Sequence, residues 1–553
     1  MCVQQSLGKL KACAALSAAF VVLSAGLAHA ADVDTMVTKA PPPPPAIAPA
    51  SCSSIYDFFV TACPLTWNGV TFYGTVDMGV SYMTHGAPFD PNFPTGVPYI
   101  IGGGGTGATG REAGFFAAPN AMSQSNAGFK VREDIAPGWS FVGQAGVAFD
   151  PYSLLLSNAP AAMQAAIGTA QNTEGSPIDS SRWGWLADQI YAGVSSATFG
   201  TLTFGRQNVL ENDAVVAYDA FGAAYGFSVI GFSGKTAGAG DTEEARWTTA
   251  IKYRVNIGDF RLAVMGQPIG GPNGGYNAYN PNNGAISGSI GADIRNVVPG
   301  VISWDVIGTF ENDAVNWSMI YPGQTNLNGF PTSFPADAAI KATLSNQTAV
   351  MVAAKWSFGS WGNTPPPVVG KAPPAPSGPS GIPLTLYAGY EWIQFANPSD
   401  PQTSFRDDGF LFTDPGNALT GHGAGAVGFP TAINNNAFNA LCGTGGGCTN
   451  EIFQVIWAGA KYGITRDLDI IGGYYHYIQN QYTLNVGNVC AIATAHSQCF
   501  GWYDTYSWAL DWRFAPKWDA YIGMTYSAAY GGIANGDIST NNLATTAGVR
   551  FRF

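Results

Sequence analysis

The amino-acid sequence predicts an all-β protein, a 16-stranded antiparallel transmembrane β-barrel with long extracellular loops and short periplasmic turns. Three observations predict this fold. Segment after segment alternates apolar and polar side chains with period two, which is the periodicity of a strand. The connections between these segments alternate between long and short. Only 11% of the residues are charged, yet no stretch beyond the N-terminus reaches the roughly 18 apolar residues of a membrane-spanning helix.

The first predicted strand shows the alternation clearly. Val70, Phe72 and Val76 lie on one face, whereas Tyr73 and Asp77 lie on the other. Hydrocarbon surrounds the outer wall of a membrane barrel and water fills its lumen, so each strand is apolar on one face and polar on the other. The predicted strands cover residues 70–83, 126–134, 138–149, 187–196, 200–207, 245–255, 259–267, 300–311, 314–321, 347–358, 382–395, 451–464, 467–483, 501–514, 517–530 and 543–553.

The connections support the same fold, because a membrane barrel has tight turns at one end and long loops at the other. Short connections are predicted at 135–137, 197–199, 256–258, 312–313, 465–466 and 515–516. One further connection of this series, 359–381, is long and rich in proline. Long connections are predicted at 84–125, 150–186, 208–244, 268–299, 322–346, 396–450, 484–500 and 531–542. A soluble all-β secreted protein is the alternative, but such proteins seldom sustain this alternation of loop length.

The N-terminus reads as a secretory signal over residues 1–30. Lys9 and Lys11 precede an apolar stretch, and Ala28-His29-Ala30 has the pattern of a cleavage site. Removal of the two lysines lowers the formal net charge from −12 to −14. This acidity argues against binding of nucleic acid.

The rest of the chain divides into a short segment and the barrel. Residues 31–68 contain five consecutive prolines and two cysteines, and we interpret them as a periplasmic N-terminal segment. Residues 69–553 are interpreted as the transmembrane barrel. Parity of the strand count places the second Pro-rich connection, 359–381, at the periplasmic end as well. There both Pro-rich segments are either inert spacers or contacts for a periplasmic partner.

Six cysteines follow the signal and fall into local pairs. Pairing close in sequence in an exported protein suggests three disulfides, although it is only the simplest of roughly 15 connectivities. The candidate pairs are Cys52 with Cys63, Cys442 with Cys448, and Cys490 with Cys499. None has the C-x-x-C spacing of a metal site, and no histidine cluster accompanies them.

No pattern of catalytic residues is visible in the sequence. The glycines at 105, 107 and 110 spell a dinucleotide fingerprint, but they lie in a Gly-rich loop with no predicted strand before them. The histidines are isolated from one another and from any partnering Ser or Cys. We therefore expect no enzyme activity, no cofactor and no metal.

Several stretches carry a family resemblance when they are taken in order. They are Val70 to Val80, Gly128-Phe129-Lys130, Tyr191 to Val194, Phe199 to Gln207, and Val549 to Phe553. In order and spacing they resemble the Gram-negative general porins, including the aromatic last residue. The pair Cys52/Cys63 just before the first strand is similar to porins of α-proteobacteria. The resemblance implies a homotrimer in the outer membrane, in contact with outer-membrane lipid, that passively admits ions and small hydrophilic solutes.

The resemblance also implies that the third long loop, 208–244, folds into the lumen and narrows it. This loop is rich in acids, and the lumen-facing positions of nearby strands are rich in bases, so the two would set a transverse field across the pore. The predicted constriction residues are the acids Glu211, Asp213, Asp219, Asp241, Glu243 and Glu244 and the bases Lys130, Arg132, Arg206, Arg246, Lys252 and Arg254. Arg206 has the phase of the lipid face, and it can point inward only if the strand ends or bulges at Gly205.

Two other functions stay open at this point. A channel selective for sugars would line its path with aromatic rings, and Tyr73, Tyr191 and Tyr521 have the lumen phase. The long loops would also suit a surface adhesin. For the diffusion channel, the excess of acids predicts a modest cation preference that weakens with salt.

Overall fold

The structure is a computed structural model. It describes residues 52, 54–84, 113–149, 151–152, 154, 188–231, 246–267, 284–295, 298–319, 339–361, 379–396, 403–405, 451–480, 500–531 and 541–553. The predicted signal lies outside these residues, as do Pro41 to Pro45, residues 362–378, and Cys442, Cys448, Cys490 and Cys499. The predicted connection 359–381 is therefore too long, because residues 359–361 and 379–381 belong to strands.

The described residues contain sixteen long strands, which are joined in one antiparallel sheet. They are β1 Val70–Met83, β2 Asn126–Ala136, β3 Trp139–Ala148, β4 Ile190–Ser196, β5 Gly200–Asn208, β6 Arg246–Ile257, β7 Phe260–Gln267, β8 Gly284–Arg295, β9 Val301–Met319, β10 Ala339–Trp361, β11 Pro379–Ala396, β12 Glu451–Gly463, β13 Leu468–Gln479, β14 Gly501–Ala515, β15 Trp518–Gly531 and β16 Asn541–Arg552. Three short strands, Leu65–Trp67, Gly114–Ala117 and Thr403–Phe405, pair with β1, β1 and β10.

The sheet closes on itself. Each long strand pairs with the next in sequence, and β16 pairs with β1 from Ala544 opposite Met83 to Arg552 opposite Thr75. Closure removes both edges, so each strand of the ring has a hydrogen-bonding neighbour on either side. The predicted fold class, a closed 16-stranded antiparallel barrel, is confirmed.

Two of the individual strand predictions are wrong, and their errors cancel in the count. Gly284–Arg295 was expected to be part of a loop, but it forms β8. Its many Gly and Ser residues resemble a loop, although Ile286, Ile290 and Ile294 alternate along it as in a strand. Conversely, the predicted strands 300–311 and 314–321 are one strand, β9. Asn312-Asp313, expected to be a turn, lies instead at a register shift within its pairing to β10.

The two faces of the strands differ as the alternation predicts. In β1 the side chain of Phe72 is exposed on the outer wall and that of Asp77 is buried inside. Tight turns at one end of the barrel use glycine in the left-handed region, at Gly138 (φ +76°) and Gly258 (φ +62°), where a side chain would be strained.

One residue departs from the predicted phase. Trp247 has the apolar phase of Ile251 and Tyr253 in the sequence, which places it toward lipid, but it is fully buried. A register shift between β5 and β6 lies between Gly205 and Gln207, which pairs with Trp247. This shift breaks the alternation before the strand ends.

The N-terminal segment is attached to the short-turn end of the barrel. A disulfide between Cys52 and Cys63 confirms the first predicted pair and encloses helix α1, Ile55–Val60. Lys517, in the turn between β14 and β15, donates from Nζ to the backbone oxygens of Phe58 and Cys63, both at 2.8 Å. A cation is favoured at a helix C-terminus, where carbonyls lack partners.

Aromatic rings extend this attachment to the end of the chain. The ring of Phe58 packs edge-on against Phe553, with centroids 5.2 Å apart. Phe553 in turn exchanges backbone hydrogen bonds with Gly74 of β1. The segment therefore covers the seam where the last strand meets the first. Among the described residues, no helix is both long enough and apolar enough to traverse a bilayer.

Candidate channel constriction

The connection between β5 and β6 runs inside the barrel. Its described part, residues 209–231, contains helix α2, Leu210–Tyr218, and the short 3-10 helix Val229–Gly231. We call residues 209–231 the inward segment. Two acids in the first turn of α2, Glu211 and Asp213, suit the positive end of the helix dipole.

The first anchor of the inward segment is an ion-pair cluster on β6. The Asp213 carboxylate lies 2.6 Å from Nζ of Lys252 and also binds the guanidinium of Arg254. Lys252 is buried and donates in addition to the backbone oxygen of Asn208 at 2.5 Å. Arg254 remains 49% exposed, so part of its charge faces the open lumen. These three predicted site residues are brought together.

A second cluster lies at the C-terminal end of α2. The hydroxyl of Tyr218 donates to Asp305 of β9 and accepts from Arg261 of β7 at 3.1 Å. Arg261 also pairs with Asp293 of β8. Nearby, Lys355 of β10 donates to the backbone oxygen of Ala217 at 3.2 Å. The helix end is thus bonded to β7, β9 and β10, and Asp293 of β8 supports Arg261.

The third anchor follows directly along the chain. Asp219 accepts a hydrogen bond from the hydroxyl of Tyr475 on β13 at 2.7 Å and another from the backbone N–H of Ala223 at 2.9 Å. The indole of Trp457 on β12 donates to the backbone oxygen of Tyr218 at 3.1 Å. A backbone carbonyl and a carboxylate are therefore both satisfied by the far wall.

The inward segment ends its crossing on β15 and on the first long connection. Thr525 of β15 donates to the backbone oxygen of Gly226 at 3.0 Å, and the Gly226 N–H donates to the oxygen of Ala121 at 2.7 Å. The hydroxyl of Tyr225 donates to Gln124 at 2.9 Å. Residues bound to β6 and residues bound to β15 thus belong to one short segment that traverses the lumen.

Burial raises the pKa of two predicted constriction acids, Glu211 and Asp219. Glu211 is 0% exposed and accepts hydrogen bonds from Ser287 of β8, at 3.5 Å, and Thr309 of β9. Burial raises the pKa of Glu211 to about 8, and the nearby Lys252 charge only partly opposes this rise. Burial likewise raises the pKa of Asp219, which is 4% exposed. Both side chains belong to the contact between the segment and the wall.

Three other described site residues lie on β2 and β6. Arg246 pairs with Asp188 at 3.1 Å. Lys130 lies over the ring of Tyr73, 4.8 Å from its centroid, and Arg132 is exposed near a short turn of β2. Asp241, Glu243 and Glu244 lie outside the described residues.

The strand is irregular at Gly205, as an inward-pointing Arg206 requires. Gly205 has φ +128°, and the register shift between β5 and β6 follows it. Arg206 itself is partly exposed, and its role at the pore stays a prediction.

Sequence reasoning missed the cluster of Arg261, Asp293 and Asp305. A signal existed, because Arg261 and Asp305 have the lumen phase of their strands. The lumen phase of Asp293 could not be predicted, since β8 was not recognised as a strand. Within the described ranges, no three side chains of His, Cys, Asp or Glu are grouped so as to hold a metal ion.

Comparisons with known proteins agree with this geometry. A family model described as Gram-negative porin matches residues 12–363. Solved structures are similar at low identity. An anion-selective porin from Comamonas acidovorans is 12% identical, with a TM-score of 0.47 over 88% of this chain and 99% of that one.

Two further solved structures have comparable coverage. OmpT, an outer membrane protein of Vibrio cholerae, is 10% identical, with a TM-score of 0.44 over 89% of this chain and 99% of that one. The outer membrane channel DcaP of Acinetobacter baumannii is 12% identical, with a TM-score of 0.42 over 88% and 97%. No curated protein matches the chain in sequence. The family model covers well over half of the chain, which therefore belongs to the Gram-negative porin family of outer-membrane channels for passive diffusion.

Proposed function

We propose that this porin admits ions and small hydrophilic solutes through a lumen that the inward segment narrows. The observation that supports this most is that residues 209–231 traverse the lumen. Asp213 at one end binds Lys252 of β6, and Gly226 near the other end binds Thr525 of β15. A segment anchored at both sides reduces the cross-section of the barrel without closing the ends. No chemical step is part of the proposal.

Charge placement along the pathway is the finer part of the proposal. Acids of the inward segment are buried or paired, whereas Arg254 of β6, although it pairs with Asp213, is half exposed. The pathway would therefore pass beside exposed bases of the wall, including Lys130 and Arg132. A transverse field orients dipolar solutes. It disfavours apolar solutes, because they displace water from charged groups without replacing its hydrogen bonds.

Swelling of liposomes that contain the protein tests the proposal. We expect entry rates of uncharged sugars to fall smoothly as sugar size increases, because a diffusion channel discriminates by size. Absence of swelling with every sugar would refute channel activity. Faster entry of one sugar than of a smaller one would instead indicate the substrate-selective channel.

We also propose that the barrel assembles as a homotrimer. Family membership supports this, whereas a closed barrel needs no partner to satisfy its backbone. Gel electrophoresis of gently solubilised, unheated protein checks the proposal. A band only at the monomer mass, 57.8 kDa with the signal or slightly less without it, would refute the trimer.

A further inference from the structure

Two neighbouring strands carry an ionisable pair on the outer wall of the barrel. In β13 and β14, alternation separates buried lumen residues such as Tyr475 from exposed outer residues such as Ile470 and Trp508. His476 and Asp504 share the phase of the outer residues. Since the family places the barrel in the outer membrane, both side chains face its lipid.

Two tyrosines, Tyr474 and Tyr506, lie beside the pair. His476 and Asp504 are direct cross-strand partners, and Nδ1 of His476 lies 2.8 Å from Oδ1 of Asp504. Tyr474 donates its hydroxyl to the same carboxylate oxygen at 2.7 Å. Tyr474 and Tyr506 are also cross-strand partners, with ring centroids 4.8 Å apart. We call these four residues the outer-wall patch.

Such a pair is unusual on this surface. Among described side chains with the outer phase, only Glu133, Arg206, His476 and Asp504 are charged or carry an imidazole. Glu133 and Arg206 face Phe141 and Ile190 across their strands, whereas His476 and Asp504 face each other. Ionisable groups are costly at the centre of a lipid-facing wall and least costly near its edges, so the depth of this pair decides what it contacts.

The position along the strand gives the depth of the patch. Phe514 lies on the same face of β14 beside the short turn, ten positions from Asp504. At about 3.3 Å per residue and a tilt of about 40°, ten residues span about 25 Å, the height of the apolar band of such barrels. If the aromatic residue marks one edge of the band, Asp504 lies at the other edge. That edge is at the long-loop end, which faces the outer leaflet.

We infer that the outer-wall patch binds the sugar headgroup of a glycolipid in the outer leaflet. Sugar hydroxyls donate hydrogen bonds to a carboxylate, and the C–H face of a sugar packs against an aromatic ring. Asp504 supplies the acceptor, and Tyr506, 53% exposed, supplies the ring. A phosphate headgroup suits the patch less well, because Tyr474 already donates to Asp504 and the carboxylate repels a second anion.

Titration of the full-length protein with a glycolipid, followed by native mass spectrometry, tests the inference. The protein is kept in a sugar-free detergent, and the probe is a monoglucosyl diacylglycerol, with phosphatidylglycerol as the charged comparison. Asp504→Asn removes the charged acceptor, and Tyr506→Leu removes the ring but leaves the pair of His476 and Asp504 intact. Glu133→Gln, which neutralises an outer-wall carboxylate at the opposite end, is the matched control.

The expected result is selective weakening. We expect Asp504→Asn to lower glycolipid affinity about tenfold, the loss of one hydrogen bond to a charged group. Tyr506→Leu should weaken it as well, while Glu133→Gln binds like the unaltered protein. Ion conductance should stay unchanged in all three, since none lies in the lumen, and this verifies that they fold. Equal glycolipid affinity in all proteins, or equally tight binding of phosphatidylglycerol, would overturn the inference.

Discussion

Tyr475 of β13 donates its hydroxyl to the Asp219 carboxylate of the inward segment, with 2.7 Å between the two oxygens and 256 residues between them in sequence. The bond joins a loop in the first half of the sequence to a wall strand near its C-terminal end. Full anchoring of the inward segment therefore requires β13 as well as the flanking strand β6. Its position depends on the far wall as much as on the strands that flank it.

Replacement of this tyrosine tests the far anchor. Tyr475→Phe removes one hydrogen bond to a buried carboxylate, a loss of about 1–3 kcal/mol in the docking of the segment. We expect larger fluctuations of the open-channel current in planar bilayers. Tyr474→Phe, on the opposite face of the same strand, is the control and should leave the current quiet. Identical current noise in both variants would contradict the role of the Asp219 contact.

Exposure predicts which wall arginine governs ion preference. Arg254 has a 49% exposed side chain, whereas Arg246 is 11% exposed and paired with Asp188. Arg254→Gln should therefore shift the reversal potential in a salt gradient toward cation preference more than Arg246→Gln does. The shift should shrink at higher salt, because the screening length falls below its value of about 8 Å at physiological salt. A larger effect of Arg246→Gln would show that the pathway lies on the other side of β6.

The docking of the inward segment should depend on pH through Glu211. Its pKa is raised by burial from 4.5 to about 8, so the docked state holds a proton that the released state loses between these values. Docking is then strongest at low pH and weakens as the pH rises through that window. We expect current noise to grow between about pH 4.5 and pH 8 and to level off above that window. Glu211→Gln should remain quiet throughout, and an unchanged pH profile in that variant would refute the assignment.

The N-terminal disulfide should protect the segment that covers the barrel seam. Reduction, or the double change Cys52→Ser and Cys63→Ser, frees a loop whose cross-link contributes about 3 kcal/mol or less. We expect protease to cut between residues 52 and 63 much faster in reduced protein, while the barrel itself stays intact. Lys517→Met should produce a similar though smaller acceleration, since it removes two hydrogen bonds to the segment. Equal cleavage rates before and after reduction would contradict this role.

The fold was accessible from sequence because solvent dictates it. Lipid outside and water inside impose period two on every strand, and this pattern located fifteen of the sixteen strands, with β9 divided into two. It failed where composition conflicted with periodicity. Gly and Ser in β8 resemble a loop, and Asn312-Asp313 in β9 resembles a turn, yet neighbouring strands supply the hydrogen bonds that keep both segments extended.

The candidate site was less accessible, because charge alone does not reveal burial. Counting acids in 208–244 identified Asp213 and its partners on β6, which alternation placed on the lumen side. The same count treated Glu211 and Asp219 as pore charges, although both are buried against wall hydroxyls. Those contacts join residues far apart in sequence, so no local pattern announces them.

The central claim is that the inward segment narrows the channel, and single-channel conductance in planar bilayers tests it most directly. The unaltered protein is compared with a variant in which residues 211–231 are replaced by a short Gly-Ser linker. We expect discrete current steps from both proteins and a clearly larger conductance from the variant, because the cross-section of the lumen increases. Current steps of equal size from the two proteins would contradict the claim.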